Sequence, residues 1–403
     1  MSSAVPADSA PSLPSCGAES ALRELGEQDL EQEGALGRLA FGGSPGEPPP
    51  AAQPGRRSWG LFEGDRLVAK AALHDYEQWW GGQPVRAAGI ADVAVHPDAR
   101  GRGAVRSLLG ALGTRAHEAD QPLGVLFATA PGIYRTLGWE LVGALEETRL
   151  PLVDLRDVAP APEVAVRSAG PDDTAALARL WKEHGRTTAG ELTRTGPYFA
   201  RGALAVLEAD VVTLAELAGR PVGYLAYDRG RGYGPQSELR VHELVSSGPA
   251  ATRALLRTLG AWDSVASSAL WRGPVDELAL LLRRTVPLPH EALPWMLRVL
   301  DAPAAVAARG YPPALALEAA FTLLDPDVPG HAGPWRLRVA DGAGSLERVP
   351  DRTDLPVLHA RGLGLLYAGV DEARVRRAGL LEGALPELAA AFAGPRPQLR
   401  DYF

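Results

Sequence analysis

The sequence predicts a mixed α/β (α+β) protein of about three domains, and three observations support this prediction. The chain has 403 residues, whereas one domain usually holds about 100–200. Two strand-like apolar runs, at residues 58–62 and 67–74, flank a turn at 63–65 that is typical of a β-hairpin. Apolar residues then recur at helical spacing over residues 105–112, which predicts an amphipathic helix.

Composition narrows the class of protein. Apolar residues make up 46% of the chain and charged residues 22%, which is typical of soluble globular proteins. The formal net charge of −8 argues against a nucleic-acid-binding protein, because such proteins present a basic surface. An acidic protein is better suited to a cationic small molecule or a basic peptide.

The N-terminal region and the cysteine content indicate the cellular compartment of the protein. Cys16 is the only cysteine, so no intrachain disulfide can form and a reducing compartment fits best. The chain starts without the basic and apolar segments of a signal peptide, and no apolar run approaches the roughly 20 residues that cross a bilayer. We therefore expect a cytoplasmic protein without a membrane segment. Residues 1–18, rich in Ser, Pro and Ala, are expected to form a disordered tail.

Two local features of the first part of the chain give further expectations. Ser20 is a suitable N-cap, which predicts a helix starting there. Trp79 and Trp80 are expected in a loop after the second strand, either as a stacking wall for a ligand or as a turn packed on the surface.

Later segments indicate more strands, helices and linkers. Residues 211–227 predict a second hairpin, and residues 250–259 a second apolar helix, in an order that resembles a weaker copy of the first part. The proline-rich stretches at 158–164 and 285–294 are candidate linkers.

The segment most informative about chemistry is VAVHPDARGRGAVRSLLGAL, residues 93–112, in which a strand leads through an Arg/Gly-rich loop into a helix. The first N–H groups of a helix have no intrahelical acceptor, and together with the helix dipole they can bind an anion. Gly101 and Gly103 let the backbone approach a pyrophosphate closely, and Arg100, Arg102 and Arg106 add positive charge. On these residues alone, a solvated Arg/Gly loop that caps a helix would be the preferred interpretation.

This segment resembles the acetyl-CoA motif of the GNAT acetyltransferase superfamily, which runs strand, R-x-x-G-x-G/A, helix. Arg100 and Gly103 match that motif, and the preceding V-x-V-x-P at residues 93–97 is also typical of the superfamily. Val105 stands at the last small position, which would set the helix start slightly farther from the pyrophosphate.

A narrower resemblance is to the Eis (enhanced intracellular survival) acetyltransferases. It rests on GIYRTLGWELVG at residues 132–143, with the small-residue turn before it, on MLRVLDAPAAVAARGY at 296–311, and on the aromatic last residue, Phe403. The resemblance implies two tandem GNAT-like domains followed by a domain similar to sterol carrier protein. It also implies a homo-hexamer that uses acetyl-CoA, without a metal, to acetylate primary amines at several positions of aminoglycosides.

With this resemblance, the domains are expected at residues 19–155 (catalytic GNAT), 160–288 (a second, degenerate GNAT-like domain) and 292–403 (sterol-carrier-protein-like). The second domain is expected to bind no cofactor, because its comparable stretch, residues 243–260, has one Gly and no Arg pair at the expected turn, where Pro249 stands. The third domain is expected to deliver the chain end to the first, although a lipid- or sterol-binding tunnel is the alternative.

The resemblance also assigns roles residue by residue. Tyr134 would be the general acid for the departing CoA thiolate, and the free carboxylate of Phe403 would be the general base. The residues expected to contact acetyl-CoA are Val93, Ala94 and Val95 along the pantetheine arm, Arg100, Gly101, Arg102, Gly103, Ala104, Val105 and Arg106 at the pyrophosphate, and Thr129 and Ala130 on the other side of the cofactor.

The same residues allow other interpretations. Tyr134 would otherwise be a packed aromatic residue after a turn, and Phe403 the end of a C-terminal strand packed on its own domain. A protein lysine or a polyamine is an alternative acceptor amine. A non-catalytic CoA- or lipid-binding module is the alternative from another functional class.

Overall fold

The structure, a computed structural model, describes residues 20–44, 53–274, 276–284, 288, 290–328, 330–350 and 354–403. The chain divides into two compact units, one drawn from residues 1–74 and 90–115 and the other from 75–89 and 116–403. The expected disordered tail at 1–18, with Cys16, lies outside the described residues.

The first unit is built on antiparallel strands that are consecutive in sequence. Its elements are β1 (Ser20–Glu24), α1 (Leu30–Phe41), β2 (Arg56–Glu63), β3 (Arg66–Trp80), β4 (Gln83–Val95) and α2 (Ala104–Glu118), of which β3, β4 and α2 also give residues to the second unit. The pair Glu63–Arg66 closes the β2–β3 hairpin over Gly64 and Asp65, which confirms the predicted turn. Gly64 has a φ of 59°, a left-handed conformation that suits glycine.

The prediction of a helix starting at Ser20 is wrong. Residues Ser20–Glu24 form β1, which pairs along its whole length with β2. The helix starts later, after a turn in which the Gly26 N–H donates to the Asp29 carboxylate at 2.9 Å. Pairing with a strand that lies far along the chain therefore overrides the local capping pattern.

The second unit begins with the remaining strands and helices of the first and second predicted domains. In chain order they are β5 (Leu123–Phe127), α3 (Pro131–Arg135), β6 (Glu140–Pro151), α4 (Leu152–Arg156), β7 (Val164–Ser168), α5 (Thr174–Thr187), β8 (Val211–Leu217), β9 (Arg220–Asp228), β10 (Gly234–Ser246), α6 (Pro249–Gly260), β11 (Ala266–Arg272) and α7 (Asp276–Ala279). The predicted hairpin at 211–227 and the helix at 250–259 correspond to β8–β9 and α6.

The last part of the chain adds one strand to this sheet and then forms a second sheet. Its elements are β12 (Glu291–Val299), α8 (Ala302–Ala308), β13 (Leu317–Leu324), β14 (Gly333–Ala340), β15 (Ala343–Arg348), β16 (Val357–His359), α9 (Ala360–Tyr367), α10 (Glu372–Arg377), β17 (Leu381–Glu382) and α11 (Pro386–Phe392). The second sheet has the order β15-β14-β13-β16-β17.

Strand β12 lies between β5 and β6 and is antiparallel to both. The order continues through β11, β10, β9 and β8 to β7. Strand β6, from the first predicted domain, pairs on its other side with β11 of the second. The expected boundary at residue 292 therefore falls inside a strand of this sheet rather than in a linker.

The interpretation of Trp79 and Trp80 as loop residues is wrong. Strand β3 continues through both, and their exposed fractions are 4% and 0%. The Trp80 ring lies 5.2 Å from the ring of Tyr367. The turn comes directly afterwards, at Gly81 and Gly82.

Candidate active site

The turn before α2 lies in the first unit and has the backbone that the sequence predicts. Gly101 and Gly103 have φ angles of 75° and 82°, a region that other residues rarely adopt. A Cβ atom at either position would meet nothing within 4 Å. Glycine is therefore required here by backbone conformation, and the space beside the turn is open to a ligand.

The start of α2 offers hydrogen-bond donors beside this turn. The Ser107 N–H donates to the Gly103 carbonyl at 3.0 Å, which is an i→i−4 bond. The N–H groups of Ala104, Val105 and Arg106 precede that bond, so they belong to the first turn, where helical N–H groups have no intrahelical acceptor. Such a turn can bind an anion.

Three arginines surround the turn, and all are exposed. Nε of Arg100 lies 3.4 Å from the Val95 carbonyl oxygen. The guanidinium of Arg102 pairs with Glu63 at 3.0 Å. Arg106 follows on the first turn of α2. Because the Arg102–Glu63 pair is partly exposed, solvent screens it and it contributes little to stability.

The end of β4 supplies Val93, Ala94 and Val95. Ala94 is buried in a cluster with Leu36, Phe62 and Leu67, whereas Val93 and Val95 are half-buried. The side chain of Ala94 therefore fixes this end of β4 in the core of the first unit.

A buried charge cluster in the first unit was not predicted from the sequence. Glu33 and Lys70 are both buried, with the Lys70 ammonium 4.0 Å from the Glu33 carboxylate. Arg56 pairs with Glu33 at 3.7 Å and also with Asp92. Burial lowers the pKa of Lys70, although the nearby carboxylates oppose this shift. A lysine within the apolar run of β3 is the sequence feature that could have indicated this cluster.

Tyr134 lies in the second unit, in the short helix α3. Its side chain is buried, and burial raises its pKa to about 12. The phenol therefore stays protonated at neutral pH, as a proton donor must. Thr129 and Ala130, which connect β5 to α3, are exposed.

The chain end also lies in the second unit, against aromatic side chains. The Phe403 ring is 4.9 Å from the Tyr76 ring and 5.6 Å from the Phe127 ring. The neighbouring Tyr402 ring is 4.9 Å from Phe127. Phe127 ends β5, and the chain reaches Tyr134 directly afterwards, through residues 128–130 and α3.

A cavity of about 560 Å³ opens beside the chain end. Its wall combines aromatic side chains with several carboxylates and arginines. The lining side chains that carry this character are Tyr76, Tyr198, Phe199, Tyr402, Phe403, Glu208, Asp228, Glu243, Asp401, Arg194, Arg272 and Arg400. The volume lies within the roughly 300–1,000 Å³ that is usual for small-molecule sites.

The comparable turn of the second predicted domain differs from the first. Gly248 has an extended φ of 177°, and Pro249 occupies the first turn of α6. The Ser246 and Thr252 hydroxyls lie 2.6 Å apart, so polar side chains of this turn contact each other. No arginine lies in the turn itself, residues 246–249.

Comparisons with known proteins agree with these features. Residues 21–142 and 190–299 each match a family model described as an acetyltransferase (GNAT) domain, and residues 302–400 match a sterol carrier protein domain. An uncharacterized N-acetyltransferase of Streptomyces avermitilis is 30% identical over 366 residues, which cover 83% of this chain and 86% of that protein. The crystal structure of a GCN5-related N-acetyltransferase from Kribbella flavida is 33% identical, has a TM-score of 0.82, and covers 96% of this chain and 98% of that chain.

The chain belongs to the GCN5-related N-acetyltransferase (GNAT) family. The predicted fold is confirmed as two GNAT domains followed by a domain similar to sterol carrier protein. The protein is an acetyltransferase, and acetyl-CoA is the cosubstrate that GNAT domains use.

A more distant structure shares the whole fold. Eis1 from Mycobacterium abscessus has a TM-score of 0.71 and 21% identity, and the match covers 96% of this chain and 100% of that chain. Across the described residues of the GNAT protein, no helix has the length and hydropathy needed to span a membrane. The same residues contain no group of three or more His, Cys, Asp or Glu side chains arranged to hold a metal ion.

Proposed function

We propose that this GNAT enzyme transfers the acetyl group of acetyl-CoA directly to a primary amine, with Tyr134 as the acid and the Phe403 carboxylate as the base. We also assign it to the Eis group. The observation that carries this proposal is the position of the chain end, because the Phe403 ring contacts Phe127 at the end of β5, just before the helix of Tyr134.

The turn before α2 fits the pyrophosphate of acetyl-CoA. Open space adjoins Gly101 and Gly103, and a Cβ at either position would project into it. The N–H groups of Ala104, Val105 and Arg106 supply donors, and Arg100 and Arg102 supply charge beside the turn. We assign Val93, Ala94 and Val95 to the pantetheine arm, and Thr129 and Ala130 to further cofactor contacts.

Proton movements follow from the two proposed groups. Acetyl-CoA supplies the acetyl group as a thioester. The Phe403 carboxylate takes the proton that the amine loses as its nitrogen forms the new C–N bond. The Tyr134 hydroxyl gives its proton to the sulfur that leaves as the C–S bond breaks. Direct transfer is favoured because Cys16 is the only thiol of the chain.

The cavity beside Phe403 supports a cationic, polyfunctional acceptor. Glu208, Asp228 and Glu243 bring carboxylates to its wall, and Tyr198 and Phe199 bring aromatic faces. Carboxylates attract ammonium groups, and aromatic faces contribute cation–π contacts. We propose aminoglycosides, acetylated at several positions, as the first candidate class. Polyamines and protein lysines are the second, supported by the same carboxylates and aromatic faces.

The experiment that tests this proposal measures thiol release from acetyl-CoA with a panel of aminoglycosides, polyamines and lysine peptides. We expect amine-dependent release with aminoglycosides and multiply acetylated products by mass spectrometry. Release with lysine peptides alone would replace the proposed acceptor class. Absence of release with every amine would contradict the assignment of this cavity to the acceptor.

We propose domains at residues 19–155, 160–288 and 292–403, with β12 contributed across the last boundary to the sheet. We propose that the second GNAT domain binds no CoA. A hexameric assembly and a cytoplasmic location are proposed from the resemblance and from the composition of the chain.

A further inference from the structure

The second GNAT domain repeats the strand–helix–strand arrangement of the first. Strand β4 leads through α2 to β5, and β10 leads through α6 to β11; in both cases the two strands are parallel. The β10–β11 pairs end at Val241–Trp271, but β10 continues to Ser246. The two strands therefore part beyond this pair and leave an opening, which we call the second cleft, between residues 242–246 and the end of β11.

The C-terminal segment of the chain lies in the second cleft. A cavity of about 250 Å³ is lined by Leu244 and Ser246 of β10, by Trp271 of β11, and by Gln398 and Arg400 of the chain end. Nη1 of Arg400 lies 3.5 Å from the Leu244 carbonyl oxygen. Residues of the C-terminal segment thus line the second cleft. In the first GNAT domain, the corresponding position at the ends of β4 and β5 is where we propose that acetyl-CoA binds.

Arg400 is fixed in this position by buried partners. Its Nε donates to the Glu191 carboxylate at 2.6 Å, and its backbone N–H donates to the same carboxylate at 3.2 Å. A further guanidinium nitrogen contacts Nε2 of His184. The Arg400 side chain is only 7% exposed and that of Glu191 is fully buried. Burial would lower the pKa of Arg400, but Glu191 outweighs it and the arginine stays charged.

Asp401 is held by a second arginine, Arg194, whose side chain is only partly exposed. Nε of Arg194 donates to both Asp401 oxygens at 3.1 Å, while its Nη2 lies 2.8 Å from Glu243. The Tyr224 hydroxyl donates to Glu243 at 2.9 Å. The Arg194 guanidinium also lies 3.5 Å from the centre of the Trp181 ring. Arg194 therefore joins the chain end to β10 through a network with several anchors, which is the kind of ion pair that holds its geometry.

The backbone of the chain end is also seated closely. The Gln398 N–H donates to the Ala189 carbonyl at 2.8 Å. Gly190 has a φ of 89°, and a Cβ there would lie 2.6 Å from the Gln398 carbonyl oxygen. Residues 398–401, which directly precede Tyr402 and Phe403, are thus held by both backbone and side-chain contacts.

We propose that the second GNAT domain binds the C-terminal segment in its cleft, and that Arg194 and Arg400 are positioning residues for the Phe403 carboxylate. The inference rests on the proposed role of Phe403 as the base. Chain ends are usually mobile, whereas a catalytic base must be held in a fixed position. An α-carboxylate can therefore act as a base only if the residues before it are anchored. The second domain thus contributes to catalysis without binding CoA.

The test uses the full-length enzyme and two variants that weaken the same ion pair from opposite sides. Asp401→Asn removes one charge at the chain end and leaves the Arg194–Glu243 pair intact, so folding is expected to survive. Arg194→Gln removes the other partner. A displacement of about 1 Å in a catalytic group can cost about 10²-fold, so we expect kcat to fall by roughly 10- to 100-fold. The acetyl-CoA dissociation constant should stay unchanged, and Arg194→Lys should restore part of kcat.

A matched control and a double-variant experiment separate positioning from general stability. Arg167 makes a bidentate pair with Asp173 in the same domain, at 2.8 Å, away from the chain end. Arg167→Gln should leave kcat unchanged. In an enzyme that lacks Phe403, Asp401→Asn should cause no further loss of residual turnover, because the base that it positions is already absent.

Each outcome decides between the hypotheses. Wild-type kcat in a folded Asp401→Asn enzyme would overturn the positioning role. A further loss in the enzyme without Phe403 would overturn it as well, since Asp401 would then act independently of the base. Unchanged turnover after removal of Phe403 would instead reject the proposed base itself.

Discussion

The guanidinium of Arg194 lies 3.1 Å from the carboxylate of Asp401, although 207 positions separate the two residues in the sequence. Arg194 follows α5 of the second GNAT domain, and Asp401 stands two residues before the chain end. Burial raises the pKa of Asp401 despite this partner, whereas the pKa of Arg194 stays well above its usual value because Asp401 and Glu243 outweigh burial. The end of the chain is thus part of a partly buried charge network of another domain.

Extension of the chain beyond Phe403 should stop acetyl transfer. Two or three added residues convert the terminal carboxylate of Phe403, whose ring packs against Tyr76 and Phe127, into a peptide group that cannot accept the proton. General acid–base groups contribute about 10²–10⁴-fold, so a loss of that size in kcat is expected. The measurement compares C-terminally extended and N-terminally extended enzymes by thiol release, with acetyl-CoA affinity from calorimetry as the check on folding. Wild-type turnover of the C-terminally extended enzyme would exclude this base.

Acid should destabilise the protein through His184. Burial, followed by the charge of Arg400, lowers the pKa of His184 to about 3, whereas an unfolded histidine titrates near 6.5. The native state therefore binds fewer protons than the unfolded state, and the stability present above about pH 6.5 is lost as the pH falls. Between neutrality and pH 5.5 this histidine should remove roughly 1.4 kcal/mol of the free energy of unfolding.

Thermal or urea unfolding at pH 7.5 and 5.5 checks that expectation. His184→Gln keeps a polar side chain beside Arg400 but removes the titration, so the difference in stability between the two pH values should shrink. His290, whose side chain is exposed, provides the control, and the pH difference measured for His290→Gln is compared with that for His184→Gln. Equal behaviour of the two variants would contradict the assignment to His184.

Substitution at Gly103 should abolish acetyl-CoA binding. Gly103→Val forces an L-residue into a φ of 82° and places side-chain atoms where the pyrophosphate is proposed to bind. Gly110 offers a matched control in α2, because it is helical and a Cβ there meets nothing within 4 Å. Calorimetry should show lost affinity for Gly103→Val and wild-type affinity for Gly110→Val. Equal affinities would move the cofactor site elsewhere.

One molecule of CoA should bind per chain. The second turn has Pro249 at its helix start, and the chain end lines the second cleft. The stoichiometry from calorimetry or native mass spectrometry should be one, and Gly103→Val should lower it to zero rather than leave a second site. Two bound molecules would show that the second GNAT domain retains its cofactor site.

Tyr134→Phe should reduce kcat while leaving the fold and acetyl-CoA binding intact. The substitution keeps the buried ring and removes the hydroxyl, and the expected loss is about 10²–10⁴-fold. Since the pKa of Tyr134 is raised to about 12, its deprotonation should not limit the wild-type rate between pH 6 and about 10. A tyrosine-dependent decline of kcat near pH 9, absent from Tyr134→Phe, would contradict the raised pKa.

The sequence predicted correctly those turns and helices whose formation depends on residues close together in the chain. The two-residue turn at Gly64 and Asp65 and the helical spacing in α2 depend on neighbours along the chain, and both were predicted correctly. The glycine pattern before α2 likewise follows from backbone conformation, as the φ angles of Gly101 and Gly103 show.

Features created by distant pairing could not be predicted in this way. Ser20 has the chemistry of a helix cap, but β2 converts its segment into a strand. Trp80 ends an apolar strand and precedes a glycine turn, yet it packs against Tyr367 in another domain. No local pattern around Arg194 or Asp401 indicates their pairing, because each residue alone resembles an ordinary surface charge.

The position of β12 has a consequence for how the protein is made. Strand β5 needs β12 as its neighbour on one side, and β12 is synthesised only after the whole second GNAT domain. On the ribosome, the first half of the chain therefore emerges before the strand that pairs with β5 exists. The contacts between β5 and β12 join residues far apart in the sequence, and such contacts slow folding. An isolated fragment ending near residue 155 would expose that edge, so the acetyltransferase domain acquires its complete sheet only when the later part of the polypeptide has been translated.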